Sequence, residues 1–263
     1  MNFISICLIL CLICSFTEAV DRTVRIVNGT DATIEEFSFL VSVRTINGHA
    51  CAGTIINEWW ILTGANCIKD EPIADLTILH SSTYLRSTGP NIIQAEKYII
   101  HEGFNASNTF IHDIAVIKLK SPMQIKLFDF KVKLAVKGAL YTTGKPAVFA
   151  GWGKNSTYGD LTTTLQKVDF QLYSANDCTP IMNAKVHPTQ ICAGPIGGNS
   201  RVCKGDGGGA LLVNGVNIAS SSWMYSICLQ PPYVSVFTQI GPYIDWIREK
   251  TGVSLGLNMF LSL

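Results

Sequence analysis

Short apolar runs, broken repeatedly by Gly, Asn, Asp and Pro, dominate this chain. Phe39–Arg44, Ala52–Ile56, Trp60–Thr63, Ile114–Leu119, Ala147–Ala150, Ala210–Val213 and Tyr233–Phe237 are rich in β-branched or aromatic residues and read as strands. Many short strands with turn signals between them predict an all-β sandwich or barrel arrangement. One segment carries a helical period instead. Pro242–Lys250 has apolar residues at 243, 244, 246 and 247, with Pro242 in its opening turn and Gly252 just past its end.

The amino terminus has a different pattern. Phe3–Phe16 is nearly all apolar, and Thr17-Glu18-Ala19 offers small residues at the two positions that signal peptidase needs, so residues 1–19 read as a secretory signal peptide. That run, like the apolar tail after Gly252, is too short to span a bilayer. Cys7, Cys11 and Cys14 leave with the signal, while Cys51, Cys67, Cys178, Cys192, Cys203 and Cys228 remain. An even count in a secreted chain predicts disulfides but leaves their pairing open. Asn28, Asn105 and Asn155 each head a glycosylation sequon.

Composition narrows the classes. The 263 residues are 48% hydrophobic and 15% charged, an ordinary globular balance. A net charge of +1 gives no reason to expect nucleic acid or a membrane surface as partner. No Pro/Ser-rich linker interrupts residues 26–252, which predicts one domain of two β-subassemblies. With the cysteines committed to disulfides and no His-x-x-x-His or Cys-x-x-Cys pattern, neither a metal nor another cofactor is expected.

A series of motifs then falls in order. These are Arg25-Ile26-Val27-Asn28-Gly29, the run from Cys51 through Trp59-Trp60 to Asn66-Cys67, His112-Asp113 before the apolar run to Leu119, Gly151-Trp152-Gly153, Cys203-Lys204-Gly205-Asp206-Gly207-Gly208-Gly209, and Ser221-Ser222-Trp223. With the C-terminal helix, they resemble the chymotrypsin/trypsin-like serine protease family across residues 26–250. The resemblance implies a double six-stranded antiparallel β-barrel with a C-terminal α-helix. It implies a short propeptide at residues 20–25, cleavage after Arg25, and a protease-like domain at 26–263. It also selects the pairs Cys51–Cys67, Cys178–Cys192 and Cys203–Cys228, and it pairs the freed amine of Ile26 with Asp206.

The chemistry departs from the family. A serine protease needs a hydroxyl nucleophile, an imidazole to carry its proton and a carboxylate to orient that imidazole. The resemblance places Gly207 at the nucleophile and Asn66 at the imidazole, leaving only Asp113. Glycine has no side chain to acylate, and a neutral amide is no general base near pH 7. Losing the serine or the histidine costs about 10⁶ in turnover in subtilisin. His112 neighbours Asp113, and on an extended segment adjacent side chains point to opposite sides, so it is expected to face away from the cleft. The primary pocket maps to Arg201, Val202, Met224 and Ser235. Arg201 repels the basic side chains a trypsin binds, and Met224 projects a long side chain where substrate backbone lies, so the cleft is expected to be blocked or reshaped.

These readings describe a secreted, extracellular pseudoprotease that works by binding protein. The chain also resembles the inactivated serine protease paralogues of parasitic mites such as the scabies mite, relatives of the mite group 3 trypsin-like allergens. That resemblance implies interference with host complement; another protease or an inhibitor is a further class of partner, and oligomeric state is left undefined. The alternative is a residual or unusual serine-type hydrolase. Loops 105–110, 155–161 and 195–202 are expected contact surfaces, and the Gly205 and Gly207 N–H groups an expected anion nest.

Overall fold

The computed structural model describes residues 29–124, 132–228 and 230–254. After a two-residue strand, β1 (Thr30–Asp31), the chain winds β2 (Leu40–Thr45), β3 (Gly48–Asn57), β4 (Trp60–Thr63), β5 (Thr77–Leu79), β6 (Ile92–Ile100) and β7 (Ala115–Leu119) into a closed barrel ordered β2-β3-β4-β7-β6-β5. Alternation does the sorting. Val41 and Val43 of β2 pack inward with Ile55, Ile61, Ile78 and Ile117, while Ser42 between them faces the opposite side.

A short strand β8 (Lys133–Leu134) then runs parallel to part of the second barrel. That barrel is built from β9 (Pro146–Gly151), β10 (Gln166–Tyr173), β11 (Gln190–Pro195), β12 (Ala210–Val213), β13 (Val216–Trp223) and β14 (Ser235–Gln239). The path β10-β11-β14-β13-β12-β9 closes on itself because β9 also pairs with β10. Closure removes the exposed edges an open sheet would leave. Its core is aromatic: the Phe149 ring stacks on Phe170 and meets Phe237 edge-on, with centroids 6.4 and 5.9 Å apart.

Among the described residues two α-helices complete the fold. Helix α1 (Ala175–Met182) is capped by Ser174, whose hydroxyl accepts the Asp177 N–H. The C-terminal segment opens as a 3₁₀ turn, Gly241–Tyr243, and continues as α2 (Ile244–Thr251), which ends on Gly252 at φ 69°. Ile244 and Ile247 pack on Trp60, Leu62, Ile114 and Val116, so the helix that leaves the second barrel docks on the first. A further cluster, Phe37, Phe39, Leu40, Trp152, Leu165 and Ala210, fills the seam between the barrels. No helix among the described residues is long and apolar enough to cross a membrane.

Candidate functional site

The seam brings the expected triad positions together. Asp113 sits just before β7, only 1% exposed. One carboxylate oxygen accepts the Asn66 backbone N–H at 2.8 Å, and the other accepts the Ser222 hydroxyl at 2.6 Å. Burial pushes this carboxyl up to about 6, against the opposing pull of Ser222 and the backbone N–H groups of Asn66 and Ala65. Asn66 therefore meets Asp113 through its backbone, while its residue lies exposed beyond. Ser222 is a partner whose role the linear sequence did not signal, since it arrives from β13.

Gly207 lies across the seam. A Cβ there would stand 3.1 Å from the Cys51 sulfur and 3.2 Å from the Cys67 sulfur, so the disulfide beside Asn66 borders it directly. The Gly207 carbonyl accepts the Ala52 N–H at 2.8 Å, tying the turn to the first barrel. Its neighbour Gly208, at φ 74°, approaches so closely that a Cβ would lie 2.3 Å from the Ala52 carbonyl oxygen. Among the described residues, neither the Gly205 nor the Gly207 N–H meets an acceptor.

Asp206 anchors the turn from behind. It is fully buried, with one oxygen accepting the Gly153 N–H at 2.8 Å and the other the Cys203 N–H at 2.9 Å. Desolvation pushes it up to about 7. The close approach accounts for Gly151-Trp152-Gly153: a Cβ on either glycine would lie within 2.3 Å of an Asp206 oxygen, and the Trp152 ring fills the seam while its N–H reaches the Thr83 carbonyl. Residues Arg25, Ile26 and Asn28 lie outside the described residues.

His49 supports the same turn. Its ring bridges the Ser42 hydroxyl at 2.7 Å and the Gly205 carbonyl at 2.9 Å, and burial pushes its pKa down to about 4, so it is neutral near pH 7. His112 does not lie on extended backbone. Its φ is 57°, so strand alternation is not what turns it. Its ring instead stacks on His101 and hydrogen-bonds the Tyr243 hydroxyl at 2.8 Å, away from the Asp113 carboxylate.

The residues expected at the primary pocket are mostly interior. Arg201 is 0% exposed, and its guanidinium donates to the carbonyls of Ile227, Gln230 and Tyr225 at 3.0–3.2 Å. Val202 and Ser235 are buried beside it in the second barrel. Met224 is half-buried and packs on the core that includes Val202 and Phe237. Apolar contact outweighs exposure for that side chain. In the segment 195–202, residues 196–198 are exposed, while Arg201 and Val202 at its end are interior.

The three disulfides join Cys51–Cys67, Cys178–Cys192 and Cys203–Cys228. Asn105 is exposed, with its side-chain oxygen accepting the Ser107 and Asn108 N–H groups, whereas Asn155 is half-buried. Among the described residues, no three His, Cys, Asp or Glu side chains converge as metal ligands would.

The geometry is matched by known proteins. A family model described as Trypsin matches residues 26–247. The chain is 33% identical to "Trypsin Blo t 3" of Blomia tropicalis, over 86% of this chain and 85% of that protein. It is 30% identical to a trypsin of Phaedon cochleariae, over 87% and 89%. The structure of human heparin binding protein aligns with a TM-score of 0.76 at 21% identity, covering 88% of this chain and 99% of that one, a likeness of fold.

Proposed function

The chain belongs to the trypsin family, and we propose that within it this protein is a secreted pseudoprotease that binds a protein partner and does not cut it. One observation carries the reading. The buried Asp113 carboxylate, which would orient an imidazole, is occupied by the Asn66 backbone and Ser222, and the facing turn presents Gly207 without a side chain. Gly207 has no side-chain oxygen to act as nucleophile and Asn66 no imidazole to carry its proton, while the Ser222 hydroxyl is engaged as a donor to Asp113. Arg201 adds a second obstacle, since a cation fills the place where a trypsin takes one in.

The partner proposed first is host complement, with a protease or an inhibitor as the other classes. The support is the sequence resemblance to inactivated mite paralogues, together with the identity to "Trypsin Blo t 3" of Blomia tropicalis. The extracellular site follows from the signal-like first 19 residues and the three disulfides.

Two assays test this. Mature protein, cut after Arg25, is incubated with casein, peptide substrates and a serine-directed fluorophosphonate probe; neither turnover nor labelling is expected. The same protein is added to serum during lysis of sensitised cells. Dose-dependent loss of lysis with uncut complement components supports the binding reading. Cut components or covalent labelling would instead revive the residual hydrolase, and no effect at micromolar protein removes complement as the partner.

A further inference from the structure

The cleft mouth carries a charge balance opposite to that of a site for basic ligands. Among the described residues the buried Arg201 guanidinium meets only backbone carbonyls and no carboxylate, and its Nε meets no acceptor. Three residues further on Lys204 is exposed, and Lys154 is its neighbour across the turn, its N–H donating to the Lys204 carbonyl at 2.8 Å. Within segments 154–161, 201–206 and 224–230 the carboxylates are Asp160, which is exposed, and Asp206, which is buried against the backbone behind the turn.

The rim is aromatic and apolar. Tyr158 is 94% exposed, Tyr225 40% and Ile227 37%. The Thr157 hydroxyl accepts the Cys228 N–H at 2.8 Å, which sets the Tyr158 loop beside the loop of Tyr225 and Ile227. Exposed tyrosines next to basic residues have the composition that concentrates binding energy at protein interfaces. The sign of the potential selects an acidic partner and disfavours a basic one.

We propose that the mouth framed by Lys154, Tyr158, Lys204, Tyr225 and Ile227 is the docking surface for an acidic segment of the partner protein. This rests on the reading of the chain as a binding protein, and gives that reading a face and a ligand chemistry. Lys154 and Lys204, joined across the turn, supply positive charge for an incoming carboxylate, Arg201 adds a buried cation held on the Tyr225 and Ile227 carbonyls, and the tyrosines and Ile227 supply contact area.

The test uses labelled hexaglutamate and hexalysine peptides titrated with the mature protein at low ionic strength. Binding is read by fluorescence anisotropy, and peptide integrity by mass spectrometry. Hexaglutamate is expected to bind and hexalysine not to. The Lys154→Glu/Lys204→Glu variant is expected to weaken hexaglutamate by about tenfold, and Tyr158→Ala to weaken it as well. The Lys97→Glu/Lys120→Glu control, on β6 and just after β7 of the other barrel, is expected to leave it unchanged. Equal losses in the two charge-reversed variants, or no preference between the peptides, would overturn the proposal and leave the pseudoprotease reading standing. Cleavage of either peptide would overturn that reading itself.

Discussion

Asp113 lies buried between the Asn66 backbone and the Ser222 hydroxyl, and its protonation follows from that. Burial raises it from 3.8 to about 6. A carboxyl raised on folding contributes stability that is full below its unfolded pKa and is lost as pH rises through the folded one. The Asp113 contribution therefore fades between about pH 4 and 6. Asp113→Asn keeps an acceptor for the Asn66 N–H, and the Ser222 hydroxyl can turn to accept from the new amide. Thermal melts from pH 4 to 8 are expected to fall less steeply for this variant than for the parent; parallel curves would contradict the assignment. The replaced positions invite a complementary experiment. Asn66→His with Gly207→Ser returns the missing groups, although the new Cβ must press on Cys51 and Cys67 sulfurs 3.1 and 3.2 Å away. On the proposal that Arg201 stands at the base of the primary pocket, cleavage of arginine and lysine peptides is expected to stay near the buffer rate. Trypsin-like turnover by this double variant would show that the plug yields to substrate. Gly207 and Asn66 were legible in the sequence because flanking motifs fix their places. Ser222 and His49 acquire their roles only through long-range closure, so no local pattern announces them.

At the level of elements, what could be read depended on how local the driving force is. The runs at β2, β4, β7 and β12 are short and strongly apolar, and they stand where the pattern put them. Three longer strands escaped. β6 carries Gln94, Glu96 and Lys97 and a register shift between Ala95 and Lys97, which breaks its period. Half of β13 is Ala and Ser, gathered in the run 219–222, where its neighbours and not propensity make it a strand. β10 did carry a signal, with Val168, Phe170 and Leu172 inward and Lys167, Asp169 and Gln171 between them, but Gln166 and the flanking threonines blur its start. The loop 225–230 depends on a single residue in another way. Its carbonyls at 225, 227 and 230 share one donor group, and Cys203–Cys228 fastens it. Arg201→Met removes those donors while keeping a buried side chain. Hydrogen exchange by mass spectrometry is expected to show local loss of protection at 225–230 with a small change in Tm, since the exposed carbonyls regain water and the disulfide remains. Unchanged protection would mean that the disulfide alone shapes the loop.

On the scale of the molecule, the turn 203–209 is where the barrels are joined. His49 of β3 reaches the Gly205 carbonyl, Ala52 reaches Gly207, and Asn217 of β13 donates to the Thr54 hydroxyl at 3.0 Å in the buried seam. Asp206 sits inside this junction, without a cation among the described residues, and is raised from 3.8 to about 7. In the uncleaved chain its contribution to stability is full below about pH 4 and lost as pH rises to about 7. Cleavage after Arg25 frees the Ile26 amine, and an ammonium reaching Asp206 would favour the carboxylate and lower its pKa. That reverses the loss at neutral pH without any catalytic group being involved. Calorimetry on Arg25-cleaved protein and on an uncleavable Arg25→Gln variant is therefore expected to give similar Tm values near pH 4 and a gap that widens in favour of the cleaved form toward pH 7.5. Parallel curves at all pH values would mean that the amine does not reach Asp206, and that the two barrels are held together without the activation switch. A widening gap would mean that this chain keeps a proteolytic on-switch for a surface that binds, and partner affinity measured on the two forms at pH 7.5 would then differ in the same direction.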